Sequence, residues 1–214
     1  NKKTGCVDII ANTTSSKIEK IFGCISLVII YKKSKSNFGS KRIGPFSKNI
    51  AKNLKPKANT ILTSYLEHKS VLAPLELISK KLNLNLIFVD LNDNGTINLE
   101  NLKHHLDSND VLWVSCAMTN GVIGTNQPIS AISDMCSENN ALLHVDASQA
   151  GYLPISCLDL DIDFLTLSAH KIYGPSGIGL LYSKHLKRPD FEPMIVGGGQ
   201  QDGLRAGTLA TPLI

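Results

Sequence analysis

The sequence predicts an α/β fold, a doubly wound and mostly parallel sheet covered by helices on both faces (α/β/α). Three observations carry that expectation. From Thr60 onward, short apolar runs of strand length alternate with longer amphipathic stretches, which is the rhythm of repeated βαβ units. The longer stretches repeat their apolar residues every three or four positions, as a helix with one buried stripe requires. A chain of 214 residues, 43% hydrophobic and with mean hydropathy +0.02, is long enough for one substantial core.

Taken in order, the front reads as a helix over Ser15 to Phe22, a strand over Ile25 to Tyr31, a polar loop from Lys32 to Pro45 and a helix over Phe46 to Leu54. Strands follow at Thr60 to Ser64, Leu84 to Leu91, Val111 to Met118, Leu142 to Ala147, Phe164 to Leu167 and Ile178 to Tyr182. Between them, helices are expected at His68 to Leu82, with Leu72, Leu75, Ile78 and Leu82 on one stripe, at Leu99 to Leu106, and at Ile129 to Asn139. No internal repeat or low-complexity segment interrupts this pattern. The longest apolar stretch, Ile25 to Tyr31 with Ser26 inside it, falls far short of the roughly 20 residues that cross a bilayer.

Charge is divided unevenly. Residues 1–57 hold 13 Lys and Arg against only Asp8 and Glu19, while the remainder is net acidic, so the overall +4 joins a basic front to an acidic body. The basic run Lys32, Lys33, Lys35, Lys41 and Arg42 has only Phe38 near it to stack on bases, which makes a solvated face the better reading than a nucleic-acid site. Five cysteines, at positions 6, 24, 116, 136 and 157, form no CxxC pair and no His/Cys cluster with metal-ligand spacing. Reduced structural thiols and no metal are expected. Asn1 to Cys6 lack a basic-then-apolar secretory pattern, so the expected setting is the cytoplasm.

The chemistry is concentrated in His144-Val-Asp-Ala-Ser-Gln149 and Phe164-Leu-Thr-Leu-Ser-Ala-His-Lys171-Ile-Tyr-Gly-Pro-Ser-Gly-Ile-Gly179. Asp146 closes one apolar strand and Lys171 follows the next, and in a parallel sheet both emerge at the carboxyl edge, where such sheets bind ligands. An isolated Asp and Lys would ordinarily be an ion pair. Here the neighbours match what pyridoxal 5'-phosphate (PLP) needs: a lysine amine for its aldehyde, an acid that keeps the pyridine nitrogen protonated, and phosphate donors. Lys171 supplies the first, Asp146 the second, and Ser168 and His170 the third, while Gln149 can reach the ring's phenolic oxygen.

The segment Ser-Ala-His-Lys171-Ile-Tyr-Gly-Pro resembles the lysine motif of the cysteine desulfurases, in the class V aminotransferase group of fold-type-I PLP enzymes. The resemblance covers roughly residues 60 to 214. It includes Glu67-His68, similar to a Glu-His pair whose imidazole stacks over the cofactor and moves protons, as well as Gly197-Gly-Gly-Gln200 and Leu204-Arg-Ala-Gly-Thr208. It implies Lys171 and His68 as catalytic residues, and Thr208 reaching the cofactor phosphate of a partner subunit, hence a homodimer. It also implies L-cysteine as substrate, sulfur transfer to an acceptor protein, and a place in iron-sulfur cluster assembly.

Two departures stand out. Where the family usually has Asn-Asn-Glu-Ile-Gly, this chain has Asn120-Gly121-Val122-Ile123-Gly124, so that Asn120 is left to make the ring contact. The family's Thr-Ser-Gly-x-Thr-Glu phosphate cup is replaced by Lys32-Lys-Ser-Lys-Ser36-Asn37, in which Ser36 keeps a hydroxyl but the glycine-rich nest is gone. The implied organisation is a divergent basic part at 1–59 and a PLP-binding large domain at 60–214. The small C-terminal domain and the sulfur-accepting cysteine are expected to be absent, and with them turnover by this chain alone. A selenocysteine lyase, another aminotransferase of the group, or a truncated non-catalytic copy are the alternatives.

Overall fold

The computed structural model describes residues 7–11, 58–150, 160–184, 197–203 and 206–208. Among the described residues seven strands make one sheet: β1 (Val7–Ala11), β2 (Thr60–Thr63), β3 (Asn85–Phe88), β4 (Val111–Ala117), β5 (Leu142–Asp146), β6 (Phe164–Ser168) and β7 (Ile178–Ser183). Their spatial order is β1-β7-β6-β5-β4-β2-β3. Strands β2 to β6 are parallel to their neighbours among themselves, and β7 runs antiparallel to both β6 and β1. Three crossover helices explain the parallel part: α1 (Lys69–Leu82) leads from β2 to β3, α2 (Leu99–Ser108) from β3 to β4, and α3 (Ile129–Glu138) from β4 to β5. The mostly parallel, doubly wound sheet expected from the sequence is therefore the observed one.

The six strands and three helices expected from Thr60 onward all form, with ends displaced by one to three residues. Strand β7 reverses direction because only a short connection with a single 3-10 turn, Ala169–Ile172, separates it from β6, too little chain for a parallel crossover. Strand β1 was not expected; it pairs along β7 from Val7 opposite Tyr182 to Ala11 opposite Ile178. The elements expected within Ser15 to Phe22, Ile25 to Tyr31 and Phe46 to Leu54 lie outside the described residues, as does Ser36.

Alternation along each strand builds a core on each face. On one, Leu62, Val114, Cys116, Leu143, Val145 and Leu165 meet α2 through Leu102 and Leu106 and α3 through Ile132 and Cys136. On the other, Ile61, Trp113, Leu142 and Phe164 meet α1 through Val71, Leu75 and Ile78. Trp113 stacks on Phe164 with ring centroids 5.0 Å apart. Local signals set the helix ends. His68 Nδ1 accepts from Ser70 N at the start of α1, Asn83 takes a left-handed conformation (φ 53°) at its end, and Asn98 Oδ1 accepts from Asn101 N at the start of α2. Among the described residues no helix is long and apolar enough to cross a membrane.

Candidate active site

Because β2, β4, β5 and β6 run the same way, the loops that follow them meet at one edge of the sheet. That edge receives His68 after β2, Asn120 after β4, Asp146 and Gln149 at and after β5, and Ser168, His170 and Lys171 at and after β6. Side-chain contacts tie these loops together. Asn120, buried, donates from Nδ2 to Leu66 O at 2.8 Å and accepts on Oδ1 from Val122 N and Ile123 N. Its amide thus braces the β2 and β4 loops against each other. A Cβ at Gly121 would collide with Gln149 Nε2, so the glycine makes the room in which the Gln149 amide lies.

Asp146 is half-buried at the end of β5, opposite Thr166 of β6. Its Oδ1 accepts from Ser148 N at 2.9 Å and from Thr166 Oγ1 at 3.3 Å, and its Oδ2 takes no hydrogen bond from the described residues. One oxygen is fixed by the chain and the other remains to accept from something else. Lys171 is half-buried on the 3-10 turn that follows β6. That turn is closed by Tyr173 in the left-handed region (φ 64°) and by Gly174 N donating to Ala169 O at 2.8 Å. A Cβ on Gly174 would sit 2.9 Å from Ala169 O, so a larger residue cannot close the turn without shifting it. At its entry Ser168 Oγ and His170 Nδ1 lie 3.0 Å apart, two groups able to donate to an anion.

His68 is exposed at the head of α1. Ser70 N can only donate, so Nδ1 is the bare, accepting nitrogen and Nε2 carries the proton; Nε2 has no hydrogen bond among the described residues. Thr208 is exposed in the short segment 206–208, which Gly207 N joins to Gln200 Oε1 at 3.1 Å. Among the described residues no hydrogen bond links Thr208 to Asp146 or Lys171.

Sequence reasoning left Glu67 without a role of its own. The residue is 6% exposed, with Oε1 accepting from Ala117 N at the end of β4 and Oε2 buried without a partner among the described residues. Burial, then the nearby charge of Asp146, push its pKa up to about 8 against the lowering effect of the Ala117 N–H, so the group is an acid rather than a carboxylate at neutral pH. Ser115, His144 and Thr166 were also missed as site residues. The signal was available in the alternation, since His144 stands two residues before Asp146 and Thr166 two before Ser168, on the same face of adjacent strands. Cys116 and Cys136 are free and buried, and burial raises both thiols well above the ordinary range, which keeps them unreactive. Among the described residues no group of three or more His, Cys, Asp or Glu is placed to hold a metal.

The model for the aminotransferase class-V family matches residues 10–211. The chain belongs to the class-V aminotransferase family. Cysteine desulfurases are among the curated relatives it matches: it is 36% identical over 198 residues to a probable mitochondrial cysteine desulfurase of Dictyostelium discoideum, covering 92% of this chain and 43% of the relative. It is 37% identical over 200 residues to the cysteine desulfurase IscS of Rickettsia prowazekii, covering 93% and 47%. Among solved structures it resembles a NifS-like protein (TM-score 0.68, 35% identity, 77% of this chain and 45% of the other). DndA from Streptomyces lividans is similar over more of the chain (TM-score 0.72, 27% identity, 97% and 52%). The chain spans less than half the length of the curated relatives it matches.

The class-V desulfurases use PLP, and the residues at this edge fit that group. An anionic oxygen remains on Asp146, an amine stands on the neighbouring turn, Ser168 and His170 form a donor pair, and Gly121 leaves space for the Gln149 amide.

Proposed function

We propose that this chain forms the cofactor-bearing part of a PLP-dependent cysteine desulfurase, which converts L-cysteine to L-alanine and passes the sulfur to an enzyme cysteine. The observation that carries the reading is the placement of Asp146, its Oδ1 held by Ser148 N and Thr166, at the end of β5 with Lys171 on the turn that follows the adjacent parallel strand.

Bound at this edge, PLP would supply an electron sink that acidifies the Cα proton of an amino-acid substrate. Lys171 would hold the cofactor by its aldehyde and, once freed, move the proton at Cα. Asp146 would accept from the ring nitrogen and keep it protonated. Gln149 would hydrogen-bond the phenolic oxygen, and Asn120 would contact the ring. Ser168 and His170 would donate to the phosphate, joined by Ser36 and, in a homodimer, by Thr208 of the other copy. His68, with its proton on Nε2, is suited to proton transfer above the ring.

A solved relative, SspA, is described in complex with cysteine and is 35% identical over 76% of this chain, which favours L-cysteine over selenocysteine or another amino acid here. The same reading divides the chain into a basic part at 1–59 and a cofactor-binding part at 60–214. It places the protein with a sulfur-acceptor partner in iron-sulfur cluster assembly. The free thiols of Cys116 and Cys136 suit a reducing compartment, the cytoplasm in this reading.

The test is covalent trapping. Borohydride reduction of the protein with PLP should fix the cofactor on the peptide containing Lys171, and Lys171→Ala should abolish both the visible absorbance and the trapped peptide. Trapping in Lys171→Ala at another single lysine, such as Lys69, would overturn the assignment.

A further inference from the structure

We propose that His144 is a positioning residue for Asp146, the centre of a hydrogen-bond relay, Ser115–His144–Thr166–Asp146, that runs from the buried interior to the half-buried edge and fixes how Asp146 presents its carboxylate there. The inference rests on the cofactor reading above for its purpose, but its geometry stands apart from it.

The four residues lie on one face of three adjacent strands, with Ser115 opposite His144 and Asp146 opposite Thr166 in the register. Ser115 Oγ is 2.8 Å from His144 Nδ1, His144 Nε2 is 3.4 Å from Thr166 Oγ1, and Thr166 Oγ1 is 3.3 Å from Asp146 Oδ1; the last two are at the long end of hydrogen-bond range. Ser115 and His144 are fully buried, and the imidazole stacks on Trp113 with centroids 5.8 Å apart, so the ring cannot turn freely.

Counting donors gives the relay a single direction. An ionised Asp146 can only accept, so the one hydroxyl proton of Thr166 goes to Oδ1. Thr166 must then accept from His144, which puts a proton on Nε2. Burial keeps the imidazole neutral, so Nδ1 is bare and accepts the Ser115 hydroxyl. A histidine that merely filled the core would not order three hydroxyl and imidazole groups toward one carboxylate. Because Ser148 N donates to the same oxygen, Oδ1 carries two hydrogen bonds and Oδ2 is the atom left without one among the described residues.

The experiment compares the full chain, its Thr166→Val variant and its Thr166→Ser variant by 15N resonances of His144 and by titration with PLP followed in the visible band. The parent should show a protonated Nε2 and a bare Nδ1. Thr166→Val, nearly isosteric, should change the Nε2 resonance and weaken PLP binding roughly tenfold, as expected for a lost hydrogen bond to a charged group, and Thr166→Ser should restore both. Should Thr166→Val not fold, Ser115→Ala supplies the same comparison at Nδ1 without touching Asp146. A proton found on Nδ1, or unaltered PLP affinity in folded Thr166→Val, would overturn the relay. Absence of any Lys171-dependent PLP binding would instead overturn the cofactor reading, and the His144 resonances would still decide the relay.

Discussion

At the scale of single residues, the site places two acids side by side in different states. Asp146 is half-buried and receives two hydrogen bonds on one oxygen, whereas Glu67 is buried with one oxygen satisfied by Ala117 N and one without a partner among the described residues. A carboxyl whose pKa rises from 4.5 to about 8 on folding must take up a proton to fold anywhere between those values. Its favourable contribution is complete below about pH 4.5 and is lost as pH rises through about 8. Stability should therefore fall across that window by up to about 1.4 kcal/mol per pH unit from this group, and Glu67→Gln should flatten the slope. Thermal unfolding of both proteins at pH 5, 6.5 and 8 checks it, and parallel profiles would remove Glu67 from the account. His144 acts in the opposite sense. Burial lowers its pKa from 6.5 to about 4, so its contribution is complete above about 6.5 and is lost as pH falls through about 4.

At the scale of elements, the turn from β6 to β7 is the part on which the chemistry depends most. Gly174 is required there by close approach, because a Cβ would press on the carbonyl and the side chain of Ala169. Gly174→Ala should displace the turn carrying Lys171, lower PLP affinity at least several-fold and leave the far-ultraviolet spectrum unchanged. Unaltered affinity in the folded variant would show that the turn tolerates the methyl group. The lysine turn and the strands before it were legible from residue type, since apolar strands ending in Asp146 and Ser168 define an edge wherever the sheet is parallel. The partners of these residues were not legible. That Asn120 holds Leu66 O, or that Gln149 lies over Gly121, depends on how loops distant in sequence fold onto one another, and spacing does not encode it. Strand β1 was not expected for a related reason: among the described residues its five positions find their pairing in β7, far along the chain.

At the scale of the whole molecule, the sheet separates two tasks. The face under α2 and α3 is an apolar core, while the face under α1 grades from Trp113 and Phe164 through Ser115 and His144 to Asp146 at its edge. The aromatic floor holds the polar part in place, so a deletion in it should be felt at the site as well as in stability. Strand β7 adds a further consequence. The loops after β2 and β4 each lead away toward a helix, but the turn bearing Lys171 is gripped by sheet on both sides, with Ser168 paired to Gly179 and Phe164 to Ser183. Opening that turn means unzipping interior strands, a much larger event than the breathing of a surface loop. Both the Gly174 amide, bonded to Ala169 O, and the Gly124 amide, bonded to Asn120 O, close turns, but in hydrogen–deuterium exchange the first should be protected on the timescale of the sheet, while the second, in the exposed turn after β4, should exchange orders of magnitude sooner. Equal exchange at the two glycines would mean that the lysine is carried by a loop that fluctuates like any other.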